Sequence, residues 1–517
     1  MTDPDVVPDS VTTPDAVKTT VGTFTFEGGM PTADTVSRAY DRLDHMHGVE
    51  SFIAGLPAVS QWAIRRGFQS VGVADNDVLI FSELMDCRSL FLTANADTVY
   101  FWTFLDLSAG PLVVTVPEKV LCAVDDMWWR WVTDLGVPGA DRGAGGDYLF
   151  IGTNWDGPLP EGAMFVRRSR TNRISILGRA FLEGDDPAPA VARIKQQLKI
   201  TPYTPGGHGF SIAAYLDAAT PLSQPATPRT PRFVEGTGLV MNTLPPNDYS
   251  FYELLDQAIQ HEPASALDPE VAGPIRAIGI THGQPFAPEA RMREILTDAV
   301  ATANALTRAS SMAPREGEGF AFYPGTGSQW TSPLFAGGYT FRTPPPQVTK
   351  GGVQPYPDPG ATLLNARAAF LYLATGITPA MCMNLPGIGS QYIGATVDAE
   401  LAPLRGEQTY TLTLPPEVPA AAFWSLTAYD NQSRSMVITD QRYPRAGSQS
   451  YPTPAARQNQ DGATTLWLGP TRPEAAPEGN WIQTAPGRTF FTILRFYSPT
   501  QAFFDRTWQP TEIQRTT

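Results

Sequence analysis

One run of the chain, Val124-Asp125-Asp126-Met127-Trp128-Trp129-Arg130-Trp131-Val132-Thr133-Asp134, crowds acids, indoles and a guanidinium together. Read as a strand, its side chains alternate between faces. Asp126, Trp128 and Arg130 then share one face, and Asp125, Trp129 and Trp131 the other. Such a stripe has a use in chemistry: a carboxylate moves a proton, a guanidinium holds an anion and an indole stacks on an organic body. At strand spacing Asp126 and Arg130 stand roughly 13 Å apart along the backbone. A direct salt bridge is therefore not expected, and each should find another partner or a ligand. The competing reading is a core Trp flanked by a self-satisfying Asp–Arg pair.

A second candidate is Asn95-Ala96-Asp97-Thr98-Val99-Tyr100. On a strand, Asn95 and Asp97 face one way and Thr98 and Tyr100 the other; the alternative is an Asx turn opening a strand. Asp430-Asn431-Gln432 with Arg434 forms a third polar cluster, read as a surface turn. The resulting assignment gives catalytic roles to Asp126, Asp97 and Arg130. Trp128, Trp131, Asn95, Tyr100 and Asp134 are the substrate-binding residues.

Familiar cofactor chemistry leaves no trace in the sequence. Gly387-Ile388-Gly389-Ser390-Gln391 has its glycines at the wrong offsets for a nucleophile elbow. No phosphate-binding loop occurs, and Gly143-Ala144-Gly145-Gly146-Asp147 lacks the strand–turn–helix setting of a dinucleotide fingerprint. His45 and His47 lie two apart on a helical pattern and point apart, so no metal site is expected. No cofactor is therefore assigned. Cys87, Cys122 and Cys382 are scattered and odd in number, neither a disulfide framework nor a zinc pattern. A formal charge of −14 and an isoelectric point near 4.9 argue against nucleic acid and anionic membranes as partners. The expected partner is a small molecule, with homo-oligomerisation left open. The acidic, Pro-rich start, Met1-Thr2-Asp3-Pro4-Asp5, has no secretory pattern and predicts a cytoplasmic address.

The elements that must hold these residues follow from periodicity. Residues 1–30 read as a flexible lead-in. Helical spacing of Val36, Tyr40, Leu43, Phe52, Ile53 and Leu56, then of Val59 to Phe68, predicts N-terminal helices over 31–75. Short β runs punctuated by Gly, Pro and Asp predict a β-sandwich over 76–235. Helical patterns return over 245–315, clearest at Leu296, Ala299, Val300 and Ala303. A Pro- and Gly-rich segment then leads into β patterning over 316–517. That segment and its lead-in carry Phe320, Phe322, Tyr323, Trp330, Phe335 and Tyr339, which should pack across a domain boundary rather than stand exposed. At 517 residues, several domains are expected, mostly β with helical parts.

The strings Leu92-Thr93-Ala94-Asn95-Ala96-Asp97-Thr98-Val99-Tyr100, Asp126-Met127-Trp128-Trp129-Arg130-Trp131-Val132-Thr133-Asp134 and Gly145-Gly146-Asp147-Tyr148-Leu149 resemble the bacterial domain of unknown function 1254. Phe423-Trp424-Ser425, Tyr429-Asp430-Asn431-Gln432, Thr439-Asp440-Gln441-Arg442 and Asn480-Trp481-Ile482-Gln483 resemble its C-terminal partner, domain 1214. The likeness is collinear over roughly residues 35 to 515. It implies an immunoglobulin-like β-sandwich, a helical insert and a C-terminal jelly-roll sandwich, and it supplies no reaction. From the residues, the first expectation is a cofactor-independent enzyme using carboxylate and Arg acid–base chemistry on a small organic or natural-product-like substrate, by hydrolysis, elimination or isomerisation. The alternative is a non-catalytic carbohydrate- or polymer-binding protein with Trp platforms. A third reading takes the Trp residues simply as core.

Overall fold

The computed structural model describes residues 7–160, 164–315, 317–332, 337–343, 347–349, 352–354 and 360–516. A three-stranded sheet, β1 (Ala16–Thr19), β2 (Gly22–Glu27) and β3 (Met30–Pro31), precedes one long helix, α1 (Ala33–Ser70). Thr32 caps this helix by accepting from the Thr35 N–H, and Asp34 lies in its first turn. The two helical patterns expected here are thus a single helix that runs through Pro57. Proline removes one helical hydrogen bond, but residues 55–64 are buried on every side, and that packing holds the helix together. The first half differs from expectation: Val36, Tyr40 and Leu43 are exposed. Gly48 and Gly55 replace them as contact points, since a Cβ there would meet Ala299 at 2.6 Å and Leu255 at 2.8 Å.

The first sandwich has a six-stranded sheet in the order β13-β4-β5-β11-β7-β8. Its strands are β4 (Val78–Phe81), β5 (Val99–Asp106), β7 (Val120–Asp126), β8 (Trp131–Gly136), β11 (Arg173–Ala180) and β13 (Phe233–Glu235). The facing sheet runs β10-β9-β6-β12: β6 (Leu112–Val116), β9 (Gly146–Ile151), β10 (Phe165–Arg168) and β12 (Lys199–Pro202). Val99, Phe101, Leu105, Ile174 and Ile176 fill the space between the sheets with Val114, Tyr148 and Phe150. The alternate residues Tyr100, Trp102 and Phe104 point the other way, into a second core. The six-stranded sheet is therefore covered on both faces. Helices α2 (Ala188–Gln197) and α3 (Ile212–Leu216) follow its strands.

Next come α4 (Ser250–His261), α5 (Pro269–Ala277) and α6 (Ala290–Met312), which pack on α1. Two short ribbons, β14 (Arg342–Thr343) with β17 (Ala361–Thr362) and β15 (Gln347–Thr349) with β16 (Gly352–Gln354), precede α7 (Leu364–Leu373). The second sandwich pairs the sheet β18-β24-β20-β21 with β23-β22-β19-β25. These are β18 (Ser390–Ala395), β19 (Tyr410–Leu414), β20 (Ala420–Asp430), β21 (Arg445–Gly447), β22 (Thr464–Gly469), β23 (Trp481–Gln483), β24 (Phe490–Pro499) and β25 (Gln514–Arg515), with α8 (Gln501–Phe504) after β24. Along β24, Phe490, Leu494 and Phe496 enter the sandwich core, while Phe491 and Ile493 face away from it, toward the first sandwich.

Both sandwiches thus turn one face to a shared core that also receives α1, α4, α6 and α7. Phe320 joins this shared core, Phe322, Tyr323 and Trp330 join the second sandwich, and Tyr339 sits edge-on to Trp131 at 5.6 Å. Phe335 lies outside the described residues. Helix and strand take roughly 26% of the chain each, so the molecule is sheet-rich by number of strands while the helices supply the middle layer. Among the described residues, no helix is long and apolar enough to cross a membrane.

Candidate functional site

The Asp126–Arg130 stripe is not a strand. β7 ends at Asp126, residues 127–130 turn, and β8 begins at Trp131 with Trp131 opposite Asp125. Trp129 adopts a left-handed conformation at φ 52°. The turn folds the chain back, so the salt bridge that strand spacing would forbid is made: Arg130 Nε lies 2.6 Å from Asp126 Oδ2. Asp126 Oδ1 also accepts from the Trp128 and Arg130 N–H groups, at 2.8 and 3.0 Å. Arg130 Nη1 donates at 2.6 Å to the Ala266 carbonyl, fastening the turn to the helical layer. Burial pushes the Asp126 carboxyl up, against the pull of Arg130. The acid is a turn lock. Trp128 and Trp129 are buried, Trp129 against Trp102, and Trp131 alone of the three is 37% exposed.

Asn95 and Asp97 precede β5 rather than lying on a strand, and Asn95 Oδ1 accepts from the Asp97 N–H at 2.8 Å, an Asx turn. This turn sits against the second sandwich. Asp97 Oδ1 is 2.7 Å from Arg445 Nε, both groups fully buried. Its Oδ2 accepts from Ser425 Oγ at 2.6 Å and from Tyr497 Oη at 2.8 Å. Asn95 Nδ2 donates to the same Tyr497 hydroxyl at 2.5 Å.

Beside this turn, two cross-strand pairs of the same composition meet. In the first sandwich Arg179 on β11 stands opposite Tyr100 on β5; in the second, Tyr392 on β18 stands opposite Arg495 on β24. Arg179 Nη1 donates to Ser390 Oγ at 3.1 Å and to Tyr392 Oη at 3.5 Å, crossing the boundary. Ser390 and Tyr392 bond to each other through their hydroxyls. Arg495 crosses in the opposite direction, donating from Nη2 to the Thr93 carbonyl at 2.9 Å. Its guanidinium lies 5.7 Å from the Tyr392 ring centre and 5.5 Å from that of Tyr429.

Of these groups Asn95, Tyr100, Tyr392 and Arg495 form, with Thr93, the polar wall of a cavity of about 160 Å³. The rest of its lining is mainly apolar, including Phe91, Trp102, Leu177, Phe370, Met381 and Phe491, with Ser311, Ser332 and Thr396 among the hydroxyl residues. An adjoining hollow of about 90 Å³ shares Tyr100, Leu177 and Tyr392 and adds Arg179, Cys122 and Asp134. Tyr100, Arg179 and Tyr392 are half-buried because they face this space. Burial alone would raise the Tyr392 hydroxyl; the charges of Arg179 and Arg495 and the Ser390 bond outweigh it, and Tyr392 lies below the ordinary tyrosine value. Burial instead pushes Tyr100 up, and burial with the Asp97 charge holds Tyr497 well above its ordinary value. The cluster therefore concentrates its acidity at Tyr392. Burial pushes the Asp134 carboxyl up to about 6, against bonds from Thr378 and Trp131.

The sequence-predicted residues are thus divided. Asn95, Tyr100 and Asp134 line the cavity or its neighbour, Asp97 braces it from behind, and Trp131 lines neither hollow, packing edge-on against Tyr339 instead. Asp126 and Arg130 belong to the turn lock, and Trp128 lines a separate hollow among α4, α5 and their loops. Sequence reasoning missed Arg179, Ser390, Tyr392, Arg495 and Tyr497. A signal existed: Arg495 interrupts the apolar strand Phe490-Phe491-Thr492-Ile493-Leu494-Arg495-Phe496-Tyr497. The Asp430–Arg434 cluster is a turn, as expected, with Gln432 exposed, but its ends are buried: Arg434 lies over Tyr372 at 4.1 Å, and burial pulls it down to about 10. Among the described residues, no three His, Cys, Asp or Glu side chains converge as a metal cluster.

Two family models match the chain. Residues 76–202 match the protein of unknown function DUF1254, and residues 389–501 match the protein of unknown function DUF1214. The chain thus carries both domains, DUF1254 followed by DUF1214. The DUF1254 match ends with β12, and the DUF1214 match spans β18 to β24. The paired Arg and Tyr residues come one pair from each domain. The fold is similar to the crystal structure of the VPA0106 protein from Vibrio parahaemolyticus, with a TM-score of 0.51 at 17% identity over 92% of this chain and 100% of that one. An uncharacterised protein from Burkholderia cenocepacia aligns with a TM-score of 0.37 at 13% identity, over 93% and 96% of the two chains. No curated protein matches the sequence.

Proposed function

We propose that this DUF1254–DUF1214 protein is an acid–base enzyme acting on a small, largely apolar organic molecule in the cavity between its two sandwiches. The observation that carries this reading is Tyr392, a hydroxyl of lowered pKa held between Arg179 and Arg495 on the wall of an otherwise apolar space. Enzymes tune such groups toward the working pH by placing charges beside them. The Tyr392 phenolate takes a proton from the substrate and its hydroxyl returns one, while the neighbouring guanidiniums stabilise negative charge that develops on substrate oxygen. Proton transfer of this kind serves isomerisation or elimination. The acid–base role expected of Asp126 and Asp97 passes to Tyr392, because both carboxylates are committed to structural partners.

The immunoglobulin-like and jelly-roll topologies and a cytoplasmic address form part of the same proposal. So does a reaction needing neither metal nor nucleotide, with no nucleic-acid or membrane partner. The Trp-platform alternative is less favoured by the burial of Trp128 and Trp129. Hydrogen–deuterium exchange at substrate carbon tests the reading. Candidate carbon acids incubated with the protein in heavy water should gain deuterium by NMR, and Tyr392→Phe should abolish the gain. Equal exchange in the two proteins would refute the assignment.

A further inference from the structure

The junction is electrostatically incomplete. Arg495 is buried and Arg179 half-buried against the adjoining hollow, yet among the described residues neither forms a salt bridge with a carboxylate. Asp97, the acid beside them, is taken by Arg445, Ser425 and Tyr497. Arg495 keeps a buried Nε with no hydrogen-bond partner although its side chain is only 3% exposed. A buried charge without a counter-charge is costly, by several kcal/mol after relaxation. Tyr392, beside both guanidiniums, can lend at most one negative charge, so at least one guanidinium charge is left to be met from outside.

Resting on the reading of this cavity as the functional site, we propose that its ligand is a small apolar monocarboxylate. The carboxylate sits where the cavity meets the adjoining hollow, Arg495 lining the first and Arg179 the second, and the hydrocarbon or aromatic body lies against Phe91, Trp102, Phe370 and Phe491. A carboxylate matches the planar fork of a guanidinium and brings negative charge to it. A dry apolar cavity of about 150 Å³ holds a benzene-sized group, which sets the scale of the body at about that of a single ring or short chain for a space of about 160 Å³.

Isothermal titration with benzoate and hexanoate, each beside its uncharged primary amide, tests this on the full chain. The carboxylates should bind roughly tenfold or more tightly than the amides. Arg179→Gln should erase that preference, and Arg179→Lys should keep part of it. Tyr392→Phe should bind the carboxylates at least as well as the parent, because an oxygen that competes for the guanidiniums is gone. That last arm separates this inference from the proton-transfer reading: lost exchange with retained carboxylate binding supports both, and retained exchange defeats only the latter. If Arg179→Gln does not fold by thermal unfolding, the comparison of acid and amide on the parent protein decides. Equal binding of acid and amide, no binding of either, or an unchanged preference in folded Arg179→Gln overturns the proposal.

Discussion

Side chains of similar type hold opposite roles in this molecule because of what surrounds them. Asp126 is enclosed by N–H donors and one guanidinium, all on its own turn, and works as a lock. Asp126→Asn keeps the shape and the backbone acceptor but gives up the ion pair. Stability should fall by about 2 kcal/mol, as for a hydrogen bond to a charged group, with cavity ligand binding unchanged. Denaturant unfolding and titration on one variant measure both quantities. Glu262, just after α4, is a second buried acid. It accepts from the Asn172 N–H at 2.6 Å and lies 3.6 Å from Arg173, yet burial outweighs these partners and raises it from 4.5 to about 7. Its folded value exceeds its unfolded one, so its contribution is full below about 4.5 and is lost as pH rises through about 7. Glu262→Gln mimics the protonated acid and should flatten the fall in thermal midpoint across that window. Parallel curves for parent and variant would contradict the sign of the shift.

At the scale of elements, alternation along two strands builds the site. β11 sends Ile174 and Ile176 into one core while Leu177 and Arg179 face the junction, and β24 divides Leu494 and Phe496 from Ile493 and Arg495 in the same way. The β character of both runs is legible in the sequence as alternation and β-branched content. Which face meets a second domain is not, because both faces are buried and hydrophobicity no longer distinguishes them. The turn after Asp126 was illegible for a different reason: Trp128 and Trp129 have strand propensity, and Trp129 takes its left-handed conformation without a glycine to announce it. Gly178 fixes the register beside Arg179. A Cβ there would come within 2.1 Å of the Phe101 ring, which stands opposite it across β5. Gly178→Ala must displace that ring within a packed core and should cost roughly 1–3 kcal/mol. Equilibrium unfolding measures it, and a neutral result would show that the ring moves freely.

The largest core of the molecule is shared among its helices and both sandwiches. Phe52 of α1, Trp102 of the first sandwich, Phe370 of α7 and Phe491 of the second sandwich belong to the same contiguous cluster. Domain pairing and the order β, helical, β were legible from the collinear motifs and from changes of period. The equal share of helix and the buried second half of α1 were not, since a helix apolar on every side carries little periodicity. Ending the chain after residue 315 would remove α7, β18 and β24 and lay the cavity wall open. Such a fragment should aggregate or unfold without a sharp transition, as judged by light scattering and calorimetry. A monomer melting as sharply as the full chain would contradict the shared core.

An acid–base role for Tyr392 requires that the junction place its negative charge there first. Near-ultraviolet absorbance of phenolate, followed as pH rises, reads this directly in the protein without any ligand. A step worth one of the 17 tyrosines should appear below the ordinary value of 10, ahead of the remainder, and vanish in Tyr392→Phe. Titration curves that coincide for parent and variant below that value would contradict the assignment of Tyr392 as the acid–base centre.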